Sequence, residues 1–124
     1  MYTILVVDDE KDIVSALEIY LKAEGYRVLT AYNGREALSV AAREDIHLIL
    51  MDIMMPKQNG YEATQAIRSM SDRPDGRTIP IVAMTANAFD EDVKKSFEAG
   101  MNEHMAKPLD IATLDEILRK YLLG

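Results

Sequence analysis

The chain has 124 residues, 48% apolar and 28% charged, which suits one globular domain with a single core. Its 21 acidic against 14 basic residues give a net charge of −7, which argues against the basic face that direct nucleic-acid binding needs. The lack of Cys excludes disulfides and thiolate metal sites and suits a reducing cytoplasm, the apolar run from Ile4 to Val7 is too short for a signal peptide, and no stretch approaches the roughly 20 apolar residues of a membrane helix.

Along the chain, apolar runs alternate with helical periodicity. Thr3–Val7 (TILVV) reads as a short strand. Residues 11–24 switch to helical spacing, with Ile13, Leu17, Tyr20 and Leu21 on one face, and Gly25 ends the helix. Arg27–Ala31 is strand-like, Asn33-Gly34 is a turn signal, and residues 35–43 are helical. Residues 46–51 form the third strand, 56–60 a loop and 61–70 a helix. "SDRPDGRT" at 71–78 is a polar loop. Residues 79–85 form the fourth strand, Asp90–Ala99 a helix, and 104–106 a short fifth strand. Asp110 is a candidate N-cap for a last helix whose expected core face is Ile111, Leu114, Leu118 and Leu122. Five strand–helix pairs imply a parallel sheet covered on both faces, a three-layer α/β domain of flavodoxin-like (βα)5 type. Most of the eight Met residues read as adaptable core filler, since Met51, Met84 and Met105 lie in strand runs.

Polar residues mark the strand ends. Asp8 and Asp9 follow the first strand, Asp52 the third and Lys107 the fifth, while Thr85 ends the fourth. Open parallel sheets build their sites at such carboxyl ends. If the strand order is 2-1-3-4-5, the three aspartates meet at one crevice, where a cation or protons must offset their repulsion. Hard oxygen ligands without His or Cys select Mg2+ or a similar ion such as Mn2+. A metal, an ammonium and a hydroxyl around one carboxylate make a phosphoryl site, with Asp as nucleophile. Each residue alone also has an ordinary reading. Asp8-Asp9 fits an acidic helix start, Thr85 a strand residue, Lys107 a solvated lysine. Asp52 resists dismissal because "LILMDIMMP" surrounds it with apolar side chains, and burying an unpaired charge is costly.

"ILVVDDE" at 4–10, "LILMDIMMPKQNG" at 48–60, "IVAMTANA" at 81–88 and "HMAKPLD" at 104–110 together resemble the receiver domains of two-component signalling, over essentially the whole chain. The resemblance implies that Asp52 is the phosphoacceptor, taking its phosphoryl group from a phosphohistidine of a histidine kinase or phosphotransfer protein. It implies that Asp9, Asp52 and the Met54 carbonyl ligate Mg2+ directly, and that Asp8 acts mainly through a metal-bound water. It assigns Thr85 and Lys107 to phosphoryl oxygens, and it implies the 2-1-3-4-5 order, a cis peptide between Lys107 and Pro108, and Gly60 as the loop glycine after the site. The family usually has Tyr or Phe where this chain has His104. That His is read as a ring filling the same pocket, with pH sensitivity as the alternative. Met54 and Asn87 stand where the family tunes phosphoryl lifetime. "EDVKKSFEAGMNEHMAKP" is similar to receivers attached to hybrid histidine kinases.

The implied function is a phosphoacceptor module that catalyses only its own phosphorylation and slow dephosphorylation and switches a partner-binding surface. Residues 1–124 are expected to form a single receiver domain with no output domain, cytoplasmic, touching neither nucleic acid nor membrane. A dehalogenase-like phosphatase also uses a strand-end Asp with Mg2+, but needs a second Asp where Met54 stands. A flavodoxin needs a Ser/Thr/Gly phosphate loop where this chain has "DDEKD".

Overall fold

The computed structural model describes residues 1–55, 59–71, 73–85, 90–107 and 110–123, with backbone only at 90–92. Strands and helices alternate as β1 (Thr3–Val7), α1 (Lys11–Ala23), β2 (Arg27–Ala31), α2 (Gly34–Arg43), β3 (Leu48–Asp52), α3 (Gly60–Arg68), β4 (Ile81–Thr85), α4 (Asp90–Ala99), β5 (Glu103–Ala106) and α5 (Ile111–Leu118). The sheet is parallel, in the order β2-β1-β3-β4-β5. This is the flavodoxin-like arrangement expected from the sequence. Among the described residues, no helix is long and apolar enough to cross a membrane.

The continuous apolar runs follow from burial on both faces. Leu5, Val7, Ile49, Met51 and Ile81 pack against Ala37 and Val40 of α2 and Ala63 and Ile67 of α3. Their neighbours Ile4, Val6, Leu48, Leu50, Val82 and Met84 pack against α1 and α5 through Val14, Leu17, Leu21, Leu114, Ile117 and Leu118. Side chains alternate across a strand, so each strand feeds two cores in turn.

Local chemistry sets the helix starts. Asn33 caps α2 by accepting from the Glu36 N–H, so the expected turn is a helix cap. Asn59 and Glu62 form a capping box on α3. Gly60 then lies against β3: an added Cβ would meet the Asp52 carbonyl and would come within 2.7 Å of Ile53 Cα. Asp110 caps α5 through the Ala112 N–H at 3.1 Å, as expected.

Several boundaries shift. Asp52 is the last residue of β3 rather than the residue after it, and Ile46 and Ile79 are buried ahead of the strands that the sequence assigns them to. Ile111 is 49% exposed, so it is not part of the α5 core face. The buried stripe is Leu114, Ile117 and Leu118, an i, i+3, i+4 pattern that turns the first residue of the helix away from the sheet. A π-helical turn, Arg119–Leu123, extends α5 and brings Tyr121 and Leu122 partly against the core. The polar loop at 71–78 contains a buried arginine. Arg73 donates to the carbonyls of Ala41, Glu44 and Ile46 at 3.0, 2.8 and 2.7 Å and pairs with Asp75. It thereby satisfies carbonyls in the last turn of α2 and just past its end. The loop start at Pro56, Asn87 and the Lys107–Pro108 peptide lie outside the described residues.

Replacing Leu50, fully buried in β3, with Ala should lower stability by about 2–5 kcal/mol. Ile111→Ala should fall well short of that. Urea unfolding of the two variants checks which side chains form the core.

Candidate phosphoacceptor and metal site

β1 and β3 are adjacent and in register from Ile4 opposite Leu48 to Val7 opposite Met51. The residues that follow these pairs, Asp8 and Asp52, therefore emerge side by side at the carboxyl edge, where the topology reverses. With Asp9 they form a cluster in which one oxygen from each carboxylate lies within 4.8 Å of the others. Asp8 is fully buried and Asp52 is 3% exposed, while Asp9 faces solvent. The expected convergence of the three aspartates is what the fold shows.

Backbone amides hold both buried carboxylates. Asp8 Oδ1 accepts the Glu10 N–H at 2.9 Å, and Asp52 Oδ1 accepts the Met54 N–H at 3.1 Å. Lys107 reaches in from the end of β5, with Nζ 2.7 Å from Asp8 Oδ2, 3.4 Å from Asp52 Oδ2 and 3.8 Å from Glu10 Oε1. The contact with Asp8 is close but poorly directed for a hydrogen bond, so Asp8 Oδ2 meets the ammonium chiefly as a point charge. The Lys107 N–H donates to the Thr85 carbonyl at 2.8 Å, which sets the two residues beside each other. Thr85 is buried at the end of β4. The Met54 side chain stands at the rim, 69% exposed. His104 is half-buried and meets Phe97 of α4 edge-on at 6.5 Å between ring centroids.

The charges do not balance. Among the described residues, with every group ionised, the three aspartates against the Lys107 ammonium leave −2, with the exposed Glu10 carboxylate further out. Burial, above all, pushes the Asp52 carboxyl up to about 7; the Met54 N–H and Lys107 oppose this, and Asp8 and Asp9 add to it. Burial works against the Lys107 ammonium, yet its close contact with Asp8 and the charges of Asp52, Asp8 and Glu10 hold its pKa above the usual value. The donor set is all oxygen, with one exposed and two buried carboxylates. A hard divalent cation fits it and offsets the surplus charge. Glu10 is the one charged contact not anticipated, although its place after two acids in "VVDDE" was visible.

A scan against protein-family models matches residues 4–119 to the response regulator receiver domain. The chain is 37% identical over 118 residues to the sensor histidine kinase RcsC of Salmonella typhimurium, covering 95% of this chain but only 12% of RcsC. It resembles the solved receiver domain of sensor histidine kinase PA1611 from Pseudomonas aeruginosa at 37% identity and TM-score 0.89, with 99% of this chain and 98% of that one covered. That structure has a magnesium ion coordinated in its active-site cleft. A third resemblance, at 27% identity and TM-score 0.86, is to the Ssk1 receiver domain of Saccharomyces cerevisiae, solved in complex with the histidine phosphotransfer protein Ypd1; it covers 97% of this chain and 88% of that one.

The raised Asp52 pKa has a definite stability consequence. Between about pH 4 and 7 the folded state holds a proton on Asp52 that the unfolded chain has released, so the stability contributed by this group declines as pH rises through that window. In metal-free buffer above pH 7, Asp52→Asn should therefore raise the melting temperature, and added Mg2+ should stabilise the wild type more than the variant. Thermal scans at pH 5 and pH 8, with and without Mg2+, check both.

Proposed function

The chain belongs to the response regulator receiver domain family, and on that premise we propose that it is a phosphoacceptor module with Asp52 as the accepting residue. The single observation that carries the reading is the convergence of Asp8, Asp9 and Asp52 with Lys107 3.4 Å from Asp52 Oδ2. The phosphoryl donor is a phosphohistidine on a histidine kinase or phosphotransfer protein, a reading supported by the likeness to a receiver domain solved with Ypd1. Residues 1–124 act as one receiver domain.

In the reaction, a carboxylate oxygen of Asp52 attacks phosphorus, the P–N bond to the donor imidazole breaks, and an acyl phosphate forms. The Met54 N–H keeps Asp52 Oδ1 oriented, leaving Oδ2 on the Lys107 side. Asp9, Asp52 and the Met54 carbonyl would hold Mg2+ or Mn2+ directly and Asp8 through water. When bound, that ion supplies positive charge to the phosphoryl oxygens. Lys107 gives up part of its contact with Asp8 to pair with one phosphoryl oxygen, and the Thr85 hydroxyl bonds another. The burial of Asp52 and Thr85 keeps competing water away from the carboxyl side. Phosphorylation draws Thr85 inward, and the stretch from Thr85 to Leu122, His104 included, adjusts to form a surface for a downstream protein.

Incubation with acetyl phosphate and Mg2+ should add one phosphoryl group to the intact mass, and Asp52→Asn should abolish it. Multiple turnovers on generic phosphomonoesters would instead establish a phosphatase. Once labelled, Met54→Ser should lose the phosphoryl several-fold faster than wild type, because Met54 stands as an apolar guard at the entrance. An unchanged lifetime removes Met54 from that role.

A further inference from the structure

β5 is a short edge strand, and among its four residues only Met105 is buried. Hydrophobic patterning therefore specifies its register weakly. β4 specifies it little better, since all of its residues are buried and both of its faces are covered. Yet the site depends on that register. Val82 pairs with Glu103 and Thr85 with Ala106, which places Lys107 next to Thr85 and within reach of Asp8 and Asp52. A slip of one residue would move Lys107 by about 3.3 Å along the strand.

A polar clamp sits at the opposite end of the pair. The Asn102 N–H donates to the Ile81 carbonyl at 2.8 Å, and Asn102 Oδ1 accepts the Ile81 N–H at 2.9 Å. One side chain and its own amide thus capture both backbone groups of the first β4 residue. Arg68, the last residue of α3, fixes that side chain with an Nη2–H to Asn102 Oδ1 at 2.8 Å. Its other bonds go to Gly100 O from Nε and Nη2 at 3.0 and 2.7 Å, and to Gly76 O and Ile79 O from Nη1 at 3.0 and 2.7 Å. These five bonds match the five N–H donors of a guanidinium. Gly100, at φ +106°, admits this approach, since a Cβ there would lie 3.2 Å from Arg68 Cγ.

We infer that Arg68 and Asn102 are positioning residues for the phosphoacceptor site: together they set the β4–β5 register that delivers Lys107 beside Asp8 and Asp52. Asn102 lies about 16 Å from Lys107, five residues along the chain. From the other side the C-terminal helix braces the same strand, with Lys120 and Tyr121 both donating to Glu103 Oε2 at 2.7 and 2.8 Å. The functional half of the inference rests on the phosphoacceptor reading; the register itself does not.

The test compares Asn102→Ala, Asn102→Asp and Arg68→Met with Val40→Ala, a cavity in α2 whose core cluster includes no β5 residue and which serves as a control for lost stability. Two quantities are read: the rate of phosphoryl labelling by acetyl phosphate with Mg2+, and hydrogen exchange of the Lys107 amide that bonds Thr85. Asn102→Ala and Arg68→Met should label about tenfold or more slowly, and their Lys107 amide should exchange faster than in a control of matched melting temperature. Asn102→Asp keeps the acceptor oxygen for Ile81 and Arg68, and should recover most of both signals. Labelling and Lys107 protection that fall only as far as in the matched control overturn the inference, as does an Asn102→Asp variant no better than Asn102→Ala. Should Arg68→Met fail to fold, Arg68→Lys, with three donors in place of five, is read in its stead. Absent labelling of the wild type overturns the phosphoacceptor reading, and amide exchange then decides the register alone.

Discussion

The structure turns on an unequal charge balance: one ammonium, Lys107, faces three aspartates at the edge of an apolar sheet. Carboxylates so placed in water would separate. Here they cannot, because Asp8 and Asp52 continue adjacent strands whose preceding residues are fully buried. The repulsion is therefore held in place by hydrophobic burial elsewhere, and the site responds by raising the proton affinity of Asp52 rather than by opening. A carboxylate held at that tension is one whose charge a proton or a nearby cation would offset.

The framework that holds the tension is a sheet sandwiched between two apolar cores. Continuous apolar strands supply bulk burial, but patterning that is apolar on both faces carries little register information. Polar devices supply it instead. Arg73 ties the loop before β4 to the chain between α2 and β3, and Arg68 ties α3 to the chain between α4 and β5. Both use a guanidinium to gather backbone carbonyls, without depending on a buried carboxylate partner. A clamp of the Asn102 kind appears at β1, where His47 Nδ1 accepts the Thr3 N–H while the His47 backbone N–H donates to the Thr3 carbonyl.

Much of the fold and the aspartate cluster was legible because their signals are redundant. Five apolar runs alternate with five helical periods, and a lone Asp among Leu, Ile and Met has few explanations. The fastenings were not legible. Arg68 and Arg73 drew no separate reading within the helix at 61–70 and the polar loop at 71–78, since nothing in their spacing reveals which carbonyls lie within reach. The α5 face was misjudged at one position: Ile111 fits the heptad-like count but is exposed, while Ile117, three residues after Leu114, is buried. Lys107 was expected at the carboxyl edge near Asp52, and its ammonium lies 3.4 Å from Asp52 Oδ2. That it first engages Asp8 follows from the depth of Asp8, which only the three-dimensional arrangement shows.

Gly60 and Arg68 bound the same helix. At one end, α3 is seated so tightly on the end of β3 that no Cβ fits; at the other, it is moored by every donor of a guanidinium. α3 is thus a stator. On that flank Asp52 is backed by a fixed wall, whereas on the other flank the described side chains of α4 bury only the small Ala99 and Ser96 and join neither large core cluster. The asymmetry leaves the sheet with a stiff flank beside the end of β3 and a more lightly packed one beside the end of β4.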